Sequence, residues 1–350
     1  MVSEPPDDES GSTLVDVVGS GSVSDGESVA VEGGVSSVVP SLPEGTAAVL
    51  PLLASVSSSP TTPGLKQPAW RTQLEIKIKY RRMDRRLARA PRPEFGRKDA
   101  RCNIPAKPVK LTNRWYSPHL NTEVLVARWG HYGLPVLLFP TAGGDAEECE
   151  RFLMIEALMP LIEAGRIKIY TCDSVAGRIW TDGASSGAFR ARIQNAFDRF
   201  VIDELVPAIR TDCRTPDIEI VTAGASIGAF NALAAICRHP DVFRSAICMS
   251  GTYDLSRWMN GEHPLDFHYC SPLHFLPGLD DSPQLALLRQ RFVLLATGEG
   301  RWESPSESWR VANMLGGKGV PNRVDPWGTD YDHDWPTWRE MLPKYLDQMT

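Results

Sequence analysis

No Cys-x-x-Cys pair occurs in this chain of 350 residues, although seven cysteines stand at 102, 149, 172, 213, 237, 248 and 270. Without paired thiols at metal-binding spacing, zinc-ribbon and thioredoxin-like chemistries are excluded. The odd, scattered set suits a reducing, cytoplasmic compartment, and Cys172 and Cys248 fall in strand-like runs as small core hydrophobes. A positive stretch ahead of an apolar one is also missing at the start. Residues 3–9 are acidic instead, which argues against a signal peptide. The apolar run 49–53 is far too short to span a bilayer. Aromatic residues are nearly absent from residues 1–70, where Trp70 is the only one.

What those 70 residues do contain is Ser, Gly, Val, Pro and acids, with 9 acidic residues against 1 basic. Such a segment buries too little apolar surface to offset its ordering entropy, so a disordered acidic tail is expected. Residues 71–102 reverse the sign, with Lys77, Lys79, Arg81, Arg82, Arg85, Arg86 and Arg89 close together. Two readings are open for this basic arm: a solvated connector, or a contact for an anionic partner such as nucleic acid or lipid. The remaining chain, 103–350, has the composition and patterning of one globular domain.

Within that domain, strand-like and helix-like patterns alternate. An opening hairpin is expected over 114–116 and 123–127, then a buried strand at 135–140 and an amphipathic helix over 145–164. A strand at 167–171, a helix over 189–210, a strand at 218–223 and a helix after Ser226 follow. Strands at 243–249, 292–296 and 322–326 alternate with helices over 304–315 and 335–348. This order predicts an α/β fold with a mostly parallel sheet covered by helices on both faces. Between 251 and 290, Pro and Asp predict a small cap of short irregular structure.

The chemistry points to Ser226, in Gly224-Ala225-Ser226-Ile227-Gly228. A β-branched run precedes the motif and a helix-forming run, Ala229 to Ile236, follows it. Strand, Gly-x-Ser-x-Gly, helix is the context that exposes a serine hydroxyl on a sharp turn above a sheet. The pattern alone decides nothing, because Gly183-Ala184-Ser185-Ser186-Gly187 also fits it. No strand leads into Ser185, so 183–187 reads as a loop opening the helix near Phe189.

A serine needs a base to take its proton and donors to hold the oxyanion. In α/β-hydrolases the partners follow in the order Ser, acid, His. Five histidines lie downstream, and only His333 follows the final strand; His239, before Pro240, reads as a helix-end residue. The loop after the strand at 292–296 offers Glu299 and Glu303 as the acid, with Asp254 as a fallback. Asp332 and Asp334 adjoin His333 too closely in sequence and read as groups acting on solvent or loop backbone. The oxyanion hole would combine the Ile227 N–H with Ala142 or Gly143, in the loop after the strand at 135–140. Trp180, Tyr253, Trp258 and Trp302 are candidates for a substrate pocket, or equally for stapling loops onto the core.

Residues 111–350 resemble the bacterial esterase family of the α/β-hydrolase superfamily, related in architecture to the esterase D type. The likeness is carried by Gly224 to Phe230, by Arg238-His239-Pro240-Asp241-Val242-Phe243 and by Ser250-Gly251-Thr252-Tyr253-Asp254-Leu255. Gly298 to Glu303 and His333-Asp334-Trp335-Pro336-x-Trp338 complete it. The resemblance implies an α/β-hydrolase fold and, through its Trp302-Glu303 pair, favours Glu303 over Glu299. It implies a serine hydrolase that acts on a small-molecule carboxylic ester with Ser226, His333 and Glu303 and needs no metal or organic cofactor. Acyl transfer or thioester cleavage on the same triad remains the alternative, as does a non-catalytic binding protein on this fold.

Overall fold

The computed structural model describes residues 110–350, so the acidic tail and the basic arm lie outside the described residues. Eight strands form one sheet in the order β1-β2-β4-β3-β5-β6-β7-β8. They are β1 (Leu111–Ser117), β2 (Thr122–Trp129), β3 (Leu134–Phe139), β4 (Ile167–Cys172), β5 (Ile220–Ala225), β6 (Phe243–Met249), β7 (Phe292–Thr297) and β8 (Asn322–Pro326). Only β2 runs antiparallel to its neighbours, and every pairing from β4 across to β8 is parallel. The opening hairpin and the mostly parallel sheet are as the sequence pattern predicts.

The helices in chain order are α1 (Glu148–Arg151), α2 (Met154–Glu163), α3 (Val175–Thr181), α4 (Gly187–Phe200), α5 (Val206–Cys213) and α6 (Ile227–Arg238). After β6 come the cap helices α7 (Leu265–Cys270), α8 (Pro272–Phe275) and α9 (Pro283–Leu288), then α10 (Pro305–Gly317) and α11 (Trp335–Met349). Every residue of β4 and β5 is buried, as continuous apolar strands covered on both faces must be. On one face Phe197, Phe200, Leu205, Leu233, Ile236, Val311 and Leu315 pack over the sheet. On the other, Ile155, Leu158, Ile162, Met341, Leu342 and Leu346 do so. Each such fully buried side chain contributes ~1.5–3 kcal/mol of transfer free energy. Cys172 and Cys248 are fully buried and unpaired, as expected of core thiols. Among the described residues no helix is long and apolar enough to cross a membrane.

Three expectations are corrected. The single helix over 145–164 is broken at Leu153, whose φ of 62° lies in the left-handed region, so α1 and α2 meet at an angle. The helix over 189–210 runs from Gly187 to Cys213 but carries a π-helical turn, Val201–Leu205. That wider turn contains Glu204, whose buried carboxylate accepts hydrogen bonds from Trp115 Nε1 (2.8 Å) and the Ser117 hydroxyl (2.7 Å) on β1. Finally, residues 175–181 form α3, where no helix was expected.

Candidate active site

The all-buried strand β5 delivers its chain directly into Ser226, and α6 starts at the next residue. Ser226 has φ 57° and ψ −121°, a strained conformation that only a surrounding well-packed structure maintains. Its N–H donates to Met249 O (3.0 Å), and its carbonyl accepts from Thr252 N (3.2 Å) and Ala229 N (3.1 Å). A Cβ on Gly224 would lie 2.3 Å from the Gly228 backbone, and one on Gly228 would lie 2.5 Å from Phe139 O. Both glycines are therefore demanded by close approach of backbone, and the second presses the start of α6 against the end of β3. The rival motif folds otherwise. Ser186 caps α4 by accepting from Phe189 N, and the Ser185 hydroxyl donates to Asp182 at 2.5 Å.

The loops after β7 and β8 are zipped together beside this elbow. Glu299 N donates to Gly328 O (2.9 Å), Gly300 N to Tyr331 O (3.1 Å) and His333 N to Arg301 O (3.0 Å). Asp332 fastens the same seam from outside, accepting from Arg301 N (2.7 Å) and Arg301 Nε (2.8 Å). Between the loops, His333 Nδ1 lies 4.0 Å from Glu303 Oε1, longer than a hydrogen bond. The Ser226 hydroxyl makes no hydrogen bond among the described residues. Such gaps are common in ligand-free sites and close when substrate binds.

Glu303 is 1% exposed at its side chain, whereas Glu299 points to solvent. Trp302, with φ 62°, makes the turn that sends Glu303 inward and leaves its own indole 78% exposed. The Ser250 hydroxyl donates to Glu303 Oε1 (2.5 Å) and itself accepts from Trp338 Nε1 (2.9 Å). The Thr297 hydroxyl lies 3.2 Å from Glu303 Oε2 and 2.9 Å from Gly298 O, and its one proton serves either. Burial lowers the pKa of His333 below the ordinary histidine value, against the pull of Glu303 and Asp334, which raise it. The imidazole is therefore neutral at neutral pH and has a free lone pair for a proton.

The expected oxyanion loop is a turn closed by Gly144 N donating to Thr141 O (3.2 Å), with Ala142 and Gly143 at its centre. As the first residue of α6, Ile227 has no carbonyl one turn behind it, so its N–H is an orphan donor at the positive helix end. Glu148 holds the loop from beneath, accepting from Thr141 N (2.8 Å) and the Thr141 hydroxyl (2.6 Å). Burial raises the Glu148 pKa, and the two Thr141 bonds oppose that rise.

Of the four pocket candidates, Trp180 and Tyr253 lie in the core. Trp180 is fully buried, donating to Gln194 Oε1 (2.8 Å) and packing with Trp258 and Phe267. Tyr253 is 1% exposed and folds into the core. Neither offers a face to a ligand; each staples a loop to the core, the other reading open for them. Trp258 is half-buried with Arg257 over its ring, and Trp302 is exposed with Arg301 over its ring. Asp254 accepts from Ser256 N (3.0 Å) and pairs with Arg310 (2.6 Å), with no bond to His333. Burial pushes its carboxyl up, but Ser256 and Arg310 prevail and hold it at about 2. His239 ends α6 and binds Asp198 at 2.9 Å, a helix-end role as expected. Sequence reasoning missed Ser250, Trp338, Glu148 and Glu307, the last accepting from Tyr253 N (2.5 Å) and Asp254 N (2.9 Å). Ser250 and Trp338 lay within the resembling segments, but nothing local tied either one to Glu303.

Residues 178–349 match the family model described as "Putative esterase". Among solved structures, a ferulic acid esterase superposes with TM-score 0.55 at 16% identity, covering 70% of this chain and 100% of that one. An S-formylglutathione hydrolase from Agrobacterium tumefaciens gives 0.54 at 14% identity, covering 70% and 96%. One from Staphylococcus aureus gives 0.51 at 14%, covering 71% and 99%. These likenesses establish the α/β-hydrolase fold. No curated protein matches the sequence.

Proposed function

From its membership of the esterase family of the α/β-hydrolase superfamily, carried by residues 178–349, we propose that this hydrolase is a serine esterase working through Ser226, His333 and Glu303. The observation that carries the reading is the strained Ser226 elbow, which shares one sheet edge with the His333–Glu303 pair. Ser226 Oγ attacks the ester carbonyl while His333 Nε2 takes its proton. The developing oxyanion accepts from the Ile227 N–H and from the Ala142 or Gly143 N–H. When the carbonyl–oxygen bond to the leaving alcohol breaks, His333 returns that proton to the alcohol. Water then attacks the acyl-enzyme by the same route, regenerating free Ser226. Glu303 fixes the imidazole through Nδ1–H and stabilises the imidazolium, remaining ionised throughout. The substrate is a small-molecule ester, and the scheme needs no metal or organic cofactor. A contact between the basic arm (71–101) and an anionic partner, and a cytoplasmic location, stay separate proposals.

The test is labelling with a fluorophosphonate probe, followed by turnover of p-nitrophenyl acetate. An adduct on Ser226, lost in Ser226→Ala together with nearly all turnover, is the expected result. A folded Ser226→Ala protein with retained activity overturns the assignment and redirects attention to Ser185. Absence of any adduct favours a binding protein on this fold.

A further inference from the structure

The loop proposed to carry the second oxyanion donor, 140–144, leaves β3, and β3 lies between β4 and β5 in the sheet. The segments that follow those two strands therefore flank it. On the β5 side stands the Ser226 elbow, where Gly228 packs against Phe139 O and Pro140 O. On the β4 side stands α3, where a Cβ on Gly177 would lie 3.0 Å from Ala142 O and 3.1 Å from Ala142 Cα. Glycine at 177 thus lets the helix approach the loop backbone closely. The residues just past the loop are pinned to the same strand end. Asp173 Oδ1 accepts from Ala146 N (3.2 Å), and the Thr171 hydroxyl donates to Ala146 O.

One group at this junction is unpaired. Ser174 precedes α3 and is 1% exposed, yet its hydroxyl does not cap the helix and makes no hydrogen bond among the described residues. The same Cβ on Gly177 would lie 2.2 Å from Ser174 Oγ. The hydroxyl and the Ala142 carbonyl thus border one small space, which the glycine leaves open. A buried hydroxyl without a partner has lost its water and gained nothing, so it calls for an explanation.

We propose that Ser174 is a positioning residue for the oxyanion loop, its hydroxyl donating to Ala142 O when the loop closes on the tetrahedral intermediate. This role rests on the serine esterase reading. Ala142 O and the Gly143 N–H belong to one peptide unit, and the Ala142 N–H adjoins it. Holding that carbonyl from the α3 side fixes both candidate donors, and a hydrogen bond to a carbonyl also polarises the N–H of its peptide. In the ligand-free state the contact is open, so the hydroxyl adds nothing to the stability of the fold. It acts only when charge develops on the substrate oxygen, which is when an interaction speeds the reaction. Glycine is needed at 177 because a methyl group there would fill the space in which the two oxygens meet.

The experiment measures kcat and KM for p-nitrophenyl acetate, together with the melting temperature, in the wild-type protein, Ser174→Ala, Gly177→Ala and the double variant. Ser174→Ala is expected to lower kcat about threefold to tenfold, the effect of one hydrogen bond, with KM little changed. Its melting temperature stays the same or rises, because the hydroxyl has no partner to lose. Gly177→Ala lowers kcat at least as far. The double variant is no slower than Gly177→Ala alone, since a contact already blocked cannot be lost again. Wild-type kcat in Ser174→Ala overturns the proposal. So does a fall in kcat accompanied by a lower melting temperature, the mark of a merely structural role, or additive losses in the double variant. If Gly177→Ala does not fold, Ser174→Ala decides alone. Failure of the esterase reading looks different: the wild type turns over no ester and forms no fluorophosphonate adduct, and the positioning role falls with it.

Discussion

The Ser250 hydroxyl donates to Glu303 Oε1 at 2.5 Å while accepting from Trp338 Nε1 at 2.9 Å. The proposed acid is thus held by a residue from the loop after β6 and a tryptophan on α11. Ser250 itself adopts φ 47°, a strained backbone at a buried position two residues from Thr252, whose N–H binds the Ser226 carbonyl. One short segment braces both Ser226 and Glu303.

Ser250→Ala should therefore leave Trp338 Nε1 buried without a partner and Glu303 Oε1 without its donor, the Thr297 hydroxyl still reaching Oε2. An unsatisfied buried polar group costs about 1–3 kcal/mol, read as a lower melting temperature. A purely structural role would stop there. A positioning role also lowers kcat on p-nitrophenyl acetate with little change in KM, and Ser250→Thr restores part of it.

Glu303→Gln should reduce kcat by about 10²–10⁴, because an amide neither holds the imidazole in the needed tautomer nor stabilises its charged form. Glu299→Gln, at an exposed position, should change kcat little. Equal effects at the two positions would remove Glu303 as the acid.

The pH dependence follows from His333. Its pKa is lowered from 6.5, so the neutral, proton-accepting form persists to lower pH than an ordinary histidine allows. Activity should be present above that depressed value and lost as pH falls through it, placing the acid limb of kcat/KM below 6.5. Because Glu303 raises the His333 pKa, Glu303→Gln should move what remains of that limb to still lower pH. A limb at or above 6.5 in the wild type contradicts the assignment.

Glu148→Ala should loosen the Thr141 to Gly144 turn by removing both hydrogen bonds from Thr141. Losing one oxyanion donor costs about 10²–10³ in kcat, and a displaced loop approaches that limit without altering labelling of Ser226 by a small fluorophosphonate. Unchanged kcat in a folded Glu148→Ala protein would show that the loop holds itself.

Gly228→Ala tests the elbow geometry. The added Cβ would lie 2.5 Å from Phe139 O and 2.7 Å from Pro140 O, both backbone atoms that cannot yield cheaply. The expected result is insoluble or strongly destabilised protein, measured by expression and thermal melting.

Local chemistry by itself determined the order of strands and helices, the elbow at Ser226 and the turn at 140–144. Side-chain period, β-branched runs and glycines act over a few residues and are legible wherever packing agrees with them. The break at Leu153 was not legible, since no glycine or proline marks it, and the π turn at Val201–Leu205 went unread although Pro207 follows it. They answer to partners far away in sequence, Trp335 for Phe152 and Ser117 and Trp115 for Glu204. Only the tertiary structure decided that Glu303 is buried and Glu299 exposed, that Trp180 and Tyr253 belong to the core, and that Ser250 and Trp338 form a hydrogen-bonded chain to Glu303. The reason is common to all of them. A side chain's environment is set by elements that meet only when the sheet closes its order, and two carboxylates four residues apart look alike until one faces an imidazole and the other faces water.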